Sequence, residues 1–227
     1  MRILFALLAT ILVNLLGWNG GALAADTEAK VPAENKIYDF RLTDFDKVLG
    51  DPKASVLIIV YSSLTCPHCA TFEEKIFPEL QERYIRTGKI RYVHRDYPMD
   101  RPGLYGATLS LCKGGEHYYA FQKILFSKQE LWAFKKNYQE VLTNIGKLGG
   151  LSAEAFDACL QDKMLQDRLA TAAVEASKQY DVNAVPALFV NGKNIPAFEK
   201  DALFAAIEGA LEGKTESKAV VEQTTKQ

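Results

Sequence analysis

The sequence predicts an α/β fold with an inserted all-helical domain, and three observations carry that expectation. Val56–Tyr61 (VLIIVY) is a continuous apolar, β-rich run of the kind that suits a central strand covered on both faces. From about Pro102 to Tyr180 no convincing strand occurs, only helical patterning interrupted at Gly114-Gly115 and Gly149-Gly150. After that block the pattern returns to β, with Ala187–Val190, the turn pair Asn191-Gly192 and a short partner strand through Ile195. The composition agrees with a folded chain: 48% of the 227 residues are hydrophobic and 24% charged. At this length one domain, or one domain with a large insertion, is expected. Lys plus Arg (27) nearly balance Asp plus Glu (28), for a net charge of −1, which argues against nucleic acid or an acidic membrane surface as partner.

The elements follow in order. Met1-Arg2 is a short cationic start, Ile3–Leu16 is almost wholly apolar, and Ala22-Leu23-Ala24 offers a small-x-small cleavage pattern before Ala25. Residues 1–24 therefore read as a signal peptide, because the apolar run falls short of the ~20 residues a spanning helix needs. No second stretch of spanning length follows. The expected product is an exported, periplasmic protein, soluble once the signal is removed. Residues 25–36 are polar and expected to be loose, and Lys36–Phe40 reads as a first short strand. A helix is expected from the Cys66–Cys69 region to about Tyr84, since Phe72, Ile76, Leu80 and Tyr84 recur every four residues. Pro78 should kink it, and Gly88 follows as a stop. Lys89–His94 reads as the next strand. Helices are expected near 103–113, 116–126, 128–147 and 152–179, and a last one over Lys200–Leu211. The domain layout that results is 25–101 and 181–213 as two parts of one α/β domain, 102–180 as the helical insertion, and 214–227 as a flexible tail.

The chemistry is expected at Cys66-Pro67-His68-Cys69. In an exported protein four cysteines point to disulfide or redox chemistry before zinc. A CxxC pair just after a buried strand and at a helix start places the first thiol among unpaired backbone N–H groups, beside a partial positive charge. That makes Cys66 the candidate nucleophile and Cys69, one turn on, the resolving thiol. Pro67 suits the first helical position because its missing N–H would be unpaired there anyway. His68 adds a nearby donor or positive charge. A zinc half-site would need a second CxxC or HxxxH, and neither is present. A structural disulfide across four residues would constrain very little. His94 and His117 read as surface or partly buried side chains, Tyr118, Tyr119 and Phe121 as helix packing, and Lys135-Lys136 as solvated helix face.

The strand–CPHC–helix unit resembles the DsbA-like thiol:disulfide oxidoreductases of the bacterial cell envelope, in the thioredoxin superfamily. The resemblance also rests on Arg95-Asp96-Tyr97-Pro98, on Tyr118-Tyr119-Ala120-Phe121, and on Val185-Pro186-Ala187-Leu188-Phe189-Val190-Asn191-Gly192. It implies a thioredoxin fold interrupted by a helical insertion. It further implies a cis-proline at Pro186 facing the dithiol, with Val185 offering its backbone to an extended client and Pro67 completing the client site. Cysteine-containing exported proteins would be the substrates and a membrane protein of the DsbB type the reoxidase. No bound cofactor is needed, since sulfur carries the electrons, and nothing demands more than a monomer. Two positions depart from the family. Val60 stands where a buried acid is common, which leaves the proton acceptor for Cys69 unassigned, and Asn183 replaces a common glycine.

Cys112 and Cys159 both fall in the helical insertion. In an oxidising compartment they would form a structural disulfide closing a long loop, worth about 4 kcal/mol in the chain-entropy view. The alternative is two buried thiols acting as small apolar groups. Some relatives carry a second disulfide in this region. For the whole protein, the sequence favours a thiol oxidase. An isomerase or reductase on the same fold, and a metal-handling or peptide-binding module using the same cleft, are the alternatives. Dimeric isomerases carry a dimerisation domain ahead of the catalytic one, and the roughly 30 residues available here are too few for it.

Overall fold

A strand buried on both faces needs partners on both edges and cover above and below, and Val56–Ser62 (β2) receives all four. In a computed structural model, which describes residues 36–224, a five-stranded sheet runs in the order β1-β3-β2-β4-β5. Its strands are β1 (Val48–Gly50), β2 (Val56–Ser62), β3 (Ile90–Asp96), β4 (Ala187–Val190) and β5 (Lys193–Ile195). β2 pairs parallel to β3 along its whole length, with Val60 opposite His94, and antiparallel to β4; the two edge pairings are antiparallel. The proposed signal segment 1–24 and the polar stretch to residue 35 lie outside the described residues, as do residues 225–227.

The two faces of the sheet bury different partners. Val56, Ile58, Val60, Ile90 and Tyr92 point to one side, against Phe72 and Leu80 and the last helix through Leu203 and Ile207. Ile59, Tyr61, Val93 and Phe189 point to the other, against Tyr38, Ala176 and Val182. Helices α1 (Pro67–Lys75) and α2 (Phe77–Leu80) follow β2, and a π turn, Gln81–Ile85, closes the run. The break between α1 and α2 falls at Ile76, and Pro78 sits in the first turn of α2, where its missing N–H costs no bond. Between β3 and β4 lie α3 (Arg101–Leu111), α4 (Tyr118–Ser127), α5 (Gln129–Trp132), α6 (Tyr138–Leu148), α7 (Ala153–Gln161) and α8 (Lys163–Tyr180). Helix α9 spans Lys200–Thr224. Among the described residues no helix is long and apolar enough to cross a membrane.

Four details differ from the sequence reading. Lys36–Phe40 is not a strand: Ile37 makes one bridge to Lys193, and the rings of Tyr38 and Phe40 pack against Tyr180 and Phe189 instead. The place beside β3 is taken by Val48–Gly50, too short for its pattern to register. The helix expected over 128–147 divides after Trp132, because Trp132 and Gln129 turn inward and bury their side chains. The helix over 152–179 divides at Asp162, which adopts ψ 88° and whose carboxylate caps the Leu165 amide at the start of α8. The last helix continues past Leu211 to Thr224.

The Asn191-Gly192 turn is a two-residue hairpin with positive φ at both positions, 46° and 84°. Gly192 also lies directly beneath the Tyr38 carbonyl, which a Cβ would strike. Asn191 ties the turn to the head of β2, its side-chain oxygen accepting from the Leu57 amide at 2.8 Å. Gly192→Ala is therefore expected to cost more than about 1 kcal/mol, seen as a lower urea midpoint at unchanged m. An unchanged midpoint would show that the turn and the Tyr38 strap yield freely.

Candidate active site

The local sequence forces a change of conformation at one residue. β2 ends at Ser62, Cys66 keeps an extended backbone (φ −90°, ψ 119°), and Pro67 begins α1 with its φ already helical. Cys66 is thus the residue capping α1, and the Ala70 amide makes the first helical bond back to its carbonyl at 3.1 Å. Its amide donates to the Ser63 carbonyl at 3.0 Å, which fixes the tight approach from the strand. Cys69, one turn later, points into the protein and is fully buried, whereas Pro67 and His68 are exposed. The His68 ring meets the exposed Phe198 edge-on, with centroids 5.1 Å apart.

The Val185–Pro186 peptide, at the head of β4, is cis and closes the other side of the site. The Cys66 thiol donates to the Val185 carbonyl, with Sγ 3.5 Å from the oxygen. The expected residues Cys66, Pro67, His68, Cys69, Val185 and Pro186 therefore meet at one place. Cys112 and Cys159 lie elsewhere in the same apolar core and are bonded to each other as a disulfide joining the end of α3 to α7. Among the described residues, no three His, Cys, Asp or Glu side chains converge as metal ligands.

The two thiols differ sharply in electrostatics. The pKa of Cys66 is lowered to about 6, chiefly by the Cys69 thiol donating to its sulfur. Burial opposes this; the backbone N–H groups of Cys69 and His68 and the charge of His68 add to it. Cys69 moves the other way. Burial pushes its thiol far above the ordinary range and the Cys66 sulfur adds to the shift. The Ser63 amide, which donates to Cys69 Sγ at 3.4 Å, and the neighbouring Ser62 hydroxyl pull against it without prevailing. One thiol is set to be a thiolate and its neighbour to stay protonated.

Three further side chains belong to this region, and no sequence motif marks them. Gln129, buried in α5, donates from Nε2 to the carbonyls of Leu64 (2.8 Å) and Cys66 (3.0 Å), bracing the loop into α1 from the helical block. No motif marks it, since its partners are over sixty residues away. Glu73 and His94 lie on the buried side of α1, with Nδ1 of His94 3.6 Å from Oε1 of Glu73. His94, read from sequence as a surface or partly buried side chain, is 3% exposed. Its strand neighbours Ile90 and Tyr92 share the apolar face, and that alternation could have suggested the burial. His117 is exposed, while Tyr118 and Phe121 are buried and Tyr119 is half-buried.

Known proteins agree with this geometry. A family model described as thioredoxin matches residues 43–209. A Rickettsia typhi protein named as a protein-disulfide oxidoreductase is 36% identical over 192 residues, covering 84% of this chain and 71% of its own. Disulfide bond formation protein D of Bacillus subtilis is 28% identical over 180 residues, covering 74% and 78%. The crystal structure of Wolbachia pipientis alpha-DsbA1 aligns with a TM-score of 0.69 at 32% identity, over 78% of this chain and 94% of that one. Sheet, dithiol and relatives define a protein-disulfide oxidoreductase of thioredoxin fold. The chain belongs to the thioredoxin family and, within it, to the DsbA-like proteins.

The low pKa of Cys66 has a measurable consequence. Because its folded value lies below its unfolded one, the stability it gives the reduced protein is fully present above the unfolded thiol value. It is lost as pH falls through about 6. Thiolate absorbance of the reduced protein near 240 nm should titrate with a midpoint about there and vanish in Cys66→Ser. The stability gap between reduced wild type and reduced Cys66→Ser should narrow over the same fall in pH. A midpoint in the ordinary thiol range would mean that the helix start and Cys69 do not act on Cys66 as described.

Proposed function

We propose that this protein is a thiol oxidase that introduces disulfides into exported proteins in the periplasm. The asymmetry of the dithiol supports that direction. Stabilising the Cys66 thiolate stabilises the reduced enzyme, so the oxidised enzyme passes its disulfide on readily. A client thiolate attacks Cys66 of the Cys66–Cys69 disulfide, a mixed disulfide forms, and Cys69 leaves as a thiol once protonated. A second client thiolate attacks the client sulfur of the mixed disulfide and releases Cys66 as its thiolate. Two client thiols have then become one disulfide, and the enzyme holds the two electrons as its dithiol.

Val185 and Pro186 stand where an extended client backbone would lie, and Pro67 and His68 form the exposed lip on the other side. The exposed Phe198 beside His68 gives that lip an apolar surface suited to unfolded clients. The nearly balanced net charge leaves no strong field to select among them. A membrane reoxidase of the DsbB type restores the disulfide, and the Cys112–Cys159 bond serves as a staple of the helical block. The protein acts as a monomer without a bound cofactor.

Equilibration of the Cys66–Cys69 pair with glutathione tests the direction. The expected potential lies above that of protein disulfide isomerase, about −180 mV, toward the oxidising limit of about −120 mV. A value near about −270 mV, that of thioredoxin, would reverse the assignment to a reductase. Cys66→Ser should abolish oxidation of a reduced client, and Cys69→Ala should accumulate client-bound mixed disulfides. Retained activity in Cys66→Ser would favour a binding module.

A further inference from the structure

Closing the disulfide requires Cys69 to lose a proton it holds strongly, and opening it requires the proton back. Cys69 is fully buried, so water does not reach it directly. β2, which packs against α1, presents Val60 and Ser62 there and no ionisable group. The site described above therefore lacks a proton exchanger.

Glu73 lies four residues after Cys69 on α1, so the two share a face one turn apart. Its side chain is 11% exposed, and its Oε1 is 3.6 Å from Nδ1 of His94, whose side chain is 1% exposed. The Tyr92 hydroxyl reaches the same oxygen at 3.5 Å, so β3 meets α1 at this carboxylate. Nε2 of His94 is buried with no hydrogen-bond partner among the described residues. A buried acid–base pair with an open ring nitrogen is costly for stability alone. It is well suited to gain and lose a proton.

We propose that the Glu73–His94 pair is the proton reservoir for Cys69. This rests on the dithiol-exchange reading of the site. When a mixed disulfide on Cys66 is resolved, the Cys69 proton passes to the pair. The Cys69 thiolate then attacks Cys66, the Cys66–Cys69 bond forms, and the partner leaves as its own thiolate. In client oxidation the same proton returns to Cys69 as its bond to Cys66 breaks. No electrons move to or from the pair. A proton held on Glu73–His94 also cancels the negative charge of that pair, so the new thiolate forms without a like charge beside it.

The other groups facing the pair do not fill this role. Burial holds the hydroxyls of Tyr92 on β3 and of Tyr118 and Tyr119 on α4 in their protonated forms. Asp96, further along β3, is bound by the Tyr118 hydroxyl (2.8 Å) and the Gln122 amide (2.9 Å), on the α4 side, and it interacts electrostatically with His94, so it is no neutral control. Glu74→Gln, at an exposed position of α1, is the control.

Ellman's reagent separates the two sulfurs in the reduced protein. Cys66 attacks it and releases one thionitrobenzoate; Cys69 then attacks the mixed disulfide and releases a second. Glu73→Gln and His94→Gln are each expected to slow the second release at least tenfold at pH 7 and to leave the first within twofold. The slowed release should rise about tenfold per pH unit as hydroxide takes over, against a flatter wild-type profile. Glu73→Asp should recover part of the rate, and Glu74→Gln should match wild type. Unchanged second release in Glu73→Gln, equal slowing of both releases, or equal slowing in Glu74→Gln would overturn the proposal. Glu73→Gln decides the matter by itself if His94→Gln fails to fold. Absence of a second release from wild type would instead overturn the dithiol reading, and the reservoir with it.

Discussion

The chemistry of this protein depends on the junction where β2 stops and α1 starts within four residues. A strand buried on both faces delivers the chain to the middle of the sheet edge, and Pro67 turns it at once into a helix. The sulfur of Cys66 then sits where the first helical amides have no carbonyl to bind, and the helix itself makes a thiolate comfortable there. The same helix carries Cys69 into the core beneath. Four residues thus place one thiol where charge is favoured and another where it is resisted, and that difference is what gives the pair a direction.

The junction is not self-supporting. The Leu64 carbonyl lies at a helix start with no strand beside it, and Gln129 binds it from α5 together with the Cys66 carbonyl, which also takes the first helical bond of α1. Gln129 is held in turn because Trp132, in the same short helix, is fully buried and donates to the Leu125 carbonyl at 2.9 Å. The helical block therefore acts as a brace for the reactive loop as well as a separate layer of core. On the far side, the turn at Asn191-Gly192 positions β4, and β4 begins at the proline loop that faces Cys66. Two distant segments and one local motif meet at a single sulfur.

Much of this was legible in the sequence because it is local. The VLIIVY run, the CPHC start of a helix, the helix-only stretch and the Asn-Gly hairpin each announce themselves within a few residues. What escaped was non-local or short. β1 is three residues long, and its pairing with β3 depends on a partner forty residues away. The breaks at residues 133–137 and at Asp162 come from tertiary burial and from one capping carboxylate inside an otherwise helical pattern. Gln129, Glu73 and His94 carry no motif, and each acquires its meaning from a neighbour on another element. His94 shows the point most plainly: a lone histidine reads as surface or partly buried until the strand register puts it opposite Val60 under α1.

That register raises a problem at the sheet edge, and its solution explains the tyrosines of the helical block. β1 covers β3 only as far as Val93, so from His94 onward β3 has a bare edge inside the protein. Buried backbone groups left unpaired there would be costly. The Tyr119 hydroxyl accepts from the His94 amide at 3.2 Å, and the Tyr118 hydroxyl lies 3.3 Å from the His94 carbonyl and 2.8 Å from the Asp96 carboxylate. Two adjacent side chains of α4 thus stand in for a missing strand. With its backbone held from that side, His94 keeps the strand geometry that directs its ring toward α1, where it meets Glu73, one helical turn on from the buried thiol. The aromatic pair reads from sequence as simple packing, yet it docks the helical block onto the sheet and fixes the orientation of the histidine under the active-site helix.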